Sequence, residues 1–304
     1  MQTILGASGA AGTELVKQLI NYTKEIKLIS RNPQKVNETD QLMIADLSDP
    51  ALLDEAINGS EVVYVTIAFE YKTSVWKEKW PRFMRNLNQS CKKHNTKIVF
   101  LDNMYIYDRN YLSHMTEEIP INPSSEKGKV RTEIYHSLMK AIENGEVKGL
   151  VARAADFYGP MVEKSALMFS VYNNLLKGKS PQWIGKLGVI HSFTYSKDIG
   201  KALALLGNTP DAFNQVWHLP TYEGRLTSRE WINLFMKAMS KQKKIQVVPV
   251  WAMGLIGVFV PVLRELKEMS YQLDRDYHFN SSKFNERFNF TPTHPENAIG
   301  EMIS

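Results

Sequence analysis

The stretch Ile4-Leu5-Gly6-Ala7-Ser8-Gly9-Ala10-Ala11-Gly12-Thr13 decides the fold. A short apolar run, Gln2–Leu5, leads into it. A segment with Leu15, Val16, Leu19 and Ile20 on one helical face follows it. Three glycines between a strand and an amphipathic helix make a turn that cradles phosphate. Gly6 permits the tight turn, Gly9 lets the backbone approach a pyrophosphate, and Gly12 lets the helix pack against the strand. The helix N-terminus, with Ser8, Ala10 and Ala11 beside it, offers free N–H groups and a positive dipole end to the phosphates.

Outward from this loop the chain alternates apolar runs with helical stripes as far as Pro160. The pattern predicts strands at Gln2–Leu5, Ile26–Ser30, Gln41–Ile44, Val62–Val65, Lys97–Leu101 and Gly149–Ala152. Between them it predicts helices at Gly12–Asn21, Pro50–Ile57, Trp80–His94 and Lys129–Ile142. Strict alternation implies an α/β Rossmann fold, a doubly wound parallel sheet covered on both faces. After Gly159-Pro160 the segments become mixed. We therefore expect residues 1–160 to form the dinucleotide-binding domain, with 191–207 rejoining the sheet. Residues 161–190 and 208–304 then make a smaller, C-terminal substrate-binding part.

The strand after the first helix ends in Ser30-Arg31-Asn32-Pro33. A site for NAD(H) usually carries an acid here, bonded to the ribose 2′-hydroxyl. Arg31 instead suits a 2′-phosphate through charge-assisted bonds, which favours NADP(H) and leaves NAD(H) open.

Composition narrows the function. The chain has 304 residues, of which 43% are hydrophobic, so disorder is excluded. The net charge of +5 is spread along the chain. That argues against a nucleic-acid partner and is compatible with an anionic small molecule. The single cysteine, Cys91, allows no internal disulfide and suits a reducing, cytoplasmic setting. No leader precedes the first motif, so no targeting segment is expected. The most apolar stretch, 247–263, contains Pro249 and Pro261 and is shorter than the roughly 20 residues that span a bilayer. No membrane contact is expected; this stretch reads as a core helix or the face of a homodimer. The histidines are scattered, so no metal site is expected. No Gly-x-Ser-x-Gly elbow is present, which argues against a serine hydrolase.

The glycine loop and the segments below resemble the extended short-chain dehydrogenase/reductase superfamily, in its NAD-dependent epimerase/dehydratase branch. Asp46-Leu47 is similar to the family's acidic residue and its neighbour beside the adenine. Val65-Thr66-Ile67-Ala68 matches the strand end that meets the cofactor. Arg153-Ala154-Ala155-Asp156-Phe157-Tyr158-Gly159-Pro160 resembles the family's Arg-bearing strand and Tyr-Gly-Pro turn, bringing Ala154 and Phe157 to the cofactor and Tyr158 to the substrate. Ser192 to Ile199 is similar to a late strand-to-helix segment in which Asp198 starts the helix. The resemblance implies a nicotinamide cofactor and a small alcohol, ketone or sugar-derived substrate. Phe69, Tyr71 and His191 border the expected substrate pocket.

The family's catalytic set, Ser or Thr followed by Tyr-x-x-x-Lys, is not preserved. Aligning Tyr107 with the family's Tyr-Gly puts Asn103 at the Ser/Thr position. Aligning Glu133 with the family's later Glu puts Lys129 at the Lys position, where the family's Lys also holds the cofactor ribose, and Ser125 at the Tyr position. Serine is no substitute for a phenol as an acid near neutral pH. Three arrangements stay open: Lys129 working with water or Ser125, a phenol supplied by Tyr105 or Tyr107, or cofactor binding without turnover. The chain thus reads as an atypical NAD(P)-dependent oxidoreductase or epimerase/dehydratase-like enzyme. The alternative is an NADP(H)-binding sensor or regulator.

Overall fold

The computed structural model describes residues 1–163, 165–253 and 261–303. Seven parallel strands form the main sheet. They include β1 (Gln2–Leu5), β2 (Ile26–Ser30), β3 (Gln41–Ile44), β4 (Val62–Val65), β5 (Lys97–Asn103) and β6 (Gly149–Ala154). Two short parallel pairs lie outside it. One joins β7 (Asp156–Tyr158) to β9 (Phe193–Tyr195), the other β8 (Gln182–Ile184) to β11 (Gln246–Val248). The seventh strand of the main sheet is β10 (Val216–His218), and the spatial order is β10-β6-β5-β4-β1-β2-β3. The order reverses between β1 and β4, and a ligand crevice opens at the carboxyl ends of strands at such a switch point.

Alternation along each strand sends side chains into two cores. On one face Ile4, Leu28 and Val99 meet α1 (Ala10–Leu19) and α5 (Ser196–Gly207) through Leu15, Val16, Ile199 and Leu203. On the other, Leu5, Ile29, Val65 and Phe100 meet α2 (Pro50–Ile57), α3 (Thr73–His94) and α4 (Glu126–Glu143) through Leu53, Trp80, Phe83, Ile134 and Leu138. The helix α2 begins as its sequence dictates: Asp49 accepts bonds from the Ala51 and Leu52 N–H groups, and Pro50 occupies the first turn.

Three features depart from the sequence expectation. The helix expected from Trp80 starts at Thr73, and Pro81 lies inside it; proline in a helix interior removes a hydrogen bond, which disguises the continuity. The segment 191–207 divides: α5 packs on α1, but β9 pairs with β7 rather than with the main sheet. Residues 208–304, expected in the smaller part, supply the edge strand β10 beside β6. Of the apolar stretch 247–263, Val247 and Val248 belong to β11, and residues 254–260 lie outside the described residues. Among the described residues no helix is long and apolar enough to cross a membrane.

Candidate active site

A cleft of about 590 Å³ opens at the switch point. Its floor is the glycine loop. Gly6 has φ +95°, and a side chain there would press on the backbone of Thr66 and Ile67. A Cβ on Gly12 would meet the Gly6 carbonyl oxygen at 2.5 Å, so the start of α1 lies directly on the turn. The first turn of α1 has no side-chain cap at Gly9. With Ser8, Gly9, Ala10 and Ala11 lining the cleft, the helix start is a fitting anion site. Thr66, Ile67 and Ala68 from the end of β4, and Ala154 and Phe157 from β6 and β7, line the same cleft. These nine expected cofactor residues are thus brought together.

The residues expected at the adenosine end, Arg31, Asp46 and Leu47, lie just after β2 and β3 and are not among the residues that line the cleft. The Ser8 hydroxyl lies 2.7 Å from that of Ser30 and donates to the Asn32 carbonyl at 3.0 Å. Arg31 is exposed beside this pair. The Asp46 carboxylate accepts from the Ser48 N–H at 3.0 Å and hydroxyl at 2.7 Å. Those bonds, then the charges of Lys79 and Arg31, hold its carboxyl below the usual range. Two cations therefore border Asp46; Lys79, on α3, carried no motif by which sequence reasoning would find it. Leu47 is buried in the core on that side of the sheet.

The catalytic expectations are redistributed. Lys129 is exposed and paired with Glu126, away from the cleft. Ser125 is buried and caps α4, accepting from the Gly128 N–H at 3.0 Å. The same spacing shifted by two residues gives Lys127 and Arg131, both buried on the inner face of α4. Arg131 lines the cleft, donates from Nε to Asp102 at 2.7 Å, and lies over the Trp80 ring at 4.5 Å. Lys127 turns toward α6 (Pro261–Leu266) and the turn after it. There it meets Glu265 and Glu268 at 2.7 Å each and lies 4.6 Å from the Tyr71 ring centre. Glu265 also accepts from the Thr73 N–H, and Glu268 from the Glu126 N–H, so one clasp caps α3 and α4 together. The bonds from Lys127 and Thr73 outweigh burial and draw the Glu265 carboxyl down to about 2.

The helical stripe Lys127, Val130, Arg131, Ile134, Leu138 was the signal for this register, since Lys129 falls on the opposite face.

The tyrosines separate. Tyr107 is fully buried and bonded to His218 Nε2 at 2.6 Å and to Arg153 at 2.9 Å, with Arg153 in turn on Asp102 at 3.2 Å. Its polar atoms are occupied behind the cleft, which rules it out as a group that meets substrate in this conformation. Tyr105 lines the cleft with Asn103, whose Oδ1 accepts from the Tyr105 N–H at 3.0 Å. The Tyr105 and Tyr71 hydroxyls are 3.5 Å apart, and Tyr277 completes a wall of phenols. Burial raises the Tyr105 and Tyr71 phenols above their ordinary range. Phe69 packs on Trp80 with centroids at 4.9 Å, and Tyr158 on Trp231 at 5.0 Å; neither lines the cleft. His191 is buried behind Asp156, with Nε2 3.0 Å from its carboxylate. Among the described residues no group of three His, Cys, Asp or Glu is placed to hold a metal ion.

The buried network carries a pH dependence. Burial outweighs the bond to the Asn280 carbonyl and holds His218 neutral, down to about 3. An unfolded histidine takes up its proton near 6.5. Stability from this group is therefore complete above about pH 6.5 and is lost as the pH falls toward 3. The loss across that interval is on the order of 4 kcal/mol. Urea midpoints at pH 7 and pH 4.5 should converge when His218→Asn replaces the wild type. An unchanged acid slope in that variant would remove His218 from the account.

A doubly wound sheet with a glycine-rich first turn and a cleft at its switch point defines a dinucleotide-binding Rossmann protein. The model of the NAD dependent epimerase/dehydratase family matches residues 3–219, and the chain belongs to that family. No curated protein matches its sequence. Solved structures with the same fold include UDP-glucuronic acid 4-epimerase of Bacillus cereus, in complex with UDP-glucuronic acid and NAD. It shares 15% identity at a TM-score of 0.82, over 99% of this chain and 98% of that one. A double mutant of the dTDP-glucose 4,6-dehydratase DesIV of Streptomyces venezuelae, with NAD and DAU bound, gives 15% and 0.80 over 100% and 95%. The UDP-glucose 4-epimerase of Thermus thermophilus, complexed with NAD, gives 16% and 0.78 over 100% and 98%.

Proposed function

We propose that this chain is an NADPH-dependent reductase of small carbonyl compounds. The observation that carries the reading is the continuity of one cleft, from the uncapped start of α1 at Ser8–Ala11 to the phenols of Tyr71, Tyr105 and Tyr277. The glycine loop holds the pyrophosphate, Thr66 to Ala68 with Ala154 and Phe157 wall the nicotinamide end, and Asn103 and Tyr105 meet the substrate oxygen. A bound nicotinamide supplies hydride. Tyr105 donates the proton that the resulting alkoxide takes up. Arg131 holds positive charge at the base of the cleft, fixed by Asp102.

Calorimetric titration with NADPH and NADH tests the cofactor, and NADPH oxidation with a panel of small ketones and aldehydes tests the chemistry. Saturable NADPH binding with turnover of at least one carbonyl is expected. Failure of either cofactor to bind would overturn the reading. The absence of a free cation beside the cleft phenols, among the described residues, favours a second reading, a cofactor-binding sensor. NADPH binding without any carbonyl reduced selects it.

Arg31 and Lys79 beside Asp46 support the preference for the 2′-phosphate. Loss of a charge-assisted bond corresponds to roughly tenfold or more in affinity. Arg31→Ala is expected to weaken NADPH by that factor and NADH by less than twofold. An equal loss for both cofactors would remove the preference.

A further inference from the structure

We infer that the substrate half of this cleft selects compounds that carry an ammonium group, with Asp156 as the specificity-determining residue, and disfavours nucleotide diphosphates. The inference deepens the carbonyl-reductase reading above and rests on it.

Asp156 stands where β6 gives way to β7, directly after Ala154 and Ala155, which line the cofactor half. Its side chain is 31% exposed into the cleft. The imidazole of His191 fixes it from behind at 3.0 Å. That imidazole is itself stacked on the Tyr277 ring, with centroids 4.4 Å apart. Among the described residues no lysine or arginine pairs with Asp156. Its negative charge reaches three phenols, adding to the burial that keeps Tyr71, Tyr105 and Tyr277 protonated.

The surroundings suit a cation in a second way. Trp76, Tyr105 and Tyr277 line this half, and aromatic faces attract ammonium groups, whereas the Tyr71 ring already carries Lys127. Glu163 adds a carboxylate at the rim. Arg131 is the one guanidinium or lysine among the described lining residues, and Asp102 already holds it. A diphosphate entering here meets carboxylates with no free cation among the described lining residues to offset its charge, and like charges in a partly dry cleft repel strongly. The cofactor's own phosphates are accommodated at the opposite end, by the backbone of the glycine loop.

The test uses the protein saturated with NADP and three probes: benzylamine, its neutral isostere benzyl alcohol, and UDP-glucose. Calorimetry should give at least tenfold tighter binding of benzylamine than of benzyl alcohol, with UDP-glucose weaker than both. Asp156→Asn should reduce the amine preference to less than threefold, and Glu163→Gln, a surface change, should reduce it about twofold. Melting curves establish that each variant is folded. Equal binding of amine and alcohol, tighter UDP-glucose, or an undiminished preference in Asp156→Asn each overturns the inference. Intact NADP binding and ketone reduction alongside such a result would leave the reductase reading standing; loss of cofactor binding would sink the reading itself.

Discussion

Asp102→Ala is expected to destabilise the protein by about 3–5 kcal/mol, the cost of removing one partner from a buried ion pair. Asp102 is fully buried and serves two guanidiniums at once, accepting from Arg131 Nε at 2.7 Å and Arg153 Nε at 3.2 Å. Each arginine has some further support. Arg131 lies over Trp80 and Phe100, and Arg153 over Tyr107 and Tyr135, while donating to the Tyr107 hydroxyl. Aromatic faces contribute about 0.5–2 kcal/mol per cation, too little to replace a carboxylate in a dry site. The variant therefore leaves two buried charges without an anion. Asp102→Asn keeps an acceptor and loses the charge, so its loss should fall between Asp102→Ala and wild type. Lys129→Ala, an exposed change, should stay within about 0.5 kcal/mol. Urea unfolding at pH 7 ranks the three. A loss under about 1 kcal/mol for Asp102→Ala would mean that water or a rearranged carboxylate reaches the two arginines.

The same buried network marks where sequence reasoning stops. Strands β1, β2 and β4 coincide with apolar runs because strands inside a parallel sheet covered on both faces demand continuous hydrophobic segments. The glycine loop was legible because backbone geometry restricts its residue types. The helix register of α4 is not legible from Glu133. Anchoring on Glu133 selected Lys129, whereas the apolar stripe through Val130, Ile134 and Leu138 places Lys127 and Arg131 inward. A charged residue on an apolar stripe reads as an error until its partner is known. Those partners, Asp102, Glu265 and Glu268, lie 29, 138 and 141 residues away in the chain. Tyr107 illustrates the same difficulty. Its neighbours in sequence point to the site, yet His218, 111 residues later, is what withdraws it from the cleft. Local patterns carry elements and tight turns; pairings across such distances appear only in the packed chain.

Tyr105→Phe is expected to lower kcat by roughly 10²–10⁴ with the carbonyl compound that wild type reduces fastest, the range for loss of a positioned general acid. NADPH affinity should be unchanged, because the proposed function puts this cleft-lining phenol at the substrate end. Burial, then the neighbouring Tyr71 and the charge of Asp156, raise this phenol well above its ordinary range. A phenol so raised stays protonated throughout the neutral range. It is a ready donor to an alkoxide and a poor acceptor from an alcohol, so reduction should be the favoured direction. No rise in reduction rate is expected between pH 7 and pH 9, since no group in the cleft gains activity by ionising there. Tyr71→Phe removes the hydroxyl 3.5 Å away and should cost about tenfold, as a partner that orients the acid rather than supplying the proton. Tyr107→Phe offers the contrast. It leaves Arg153 and His218 without their shared hydroxyl, so it should cost about 1–3 kcal/mol of stability while kcat stays within twofold of wild type. Retention of more than a tenth of kcat by Tyr105→Phe would transfer the proton donor to Tyr71, Tyr277 or water. A large kcat loss in Tyr107→Phe would mean that the buried network moves with the chemistry rather than merely bracing it.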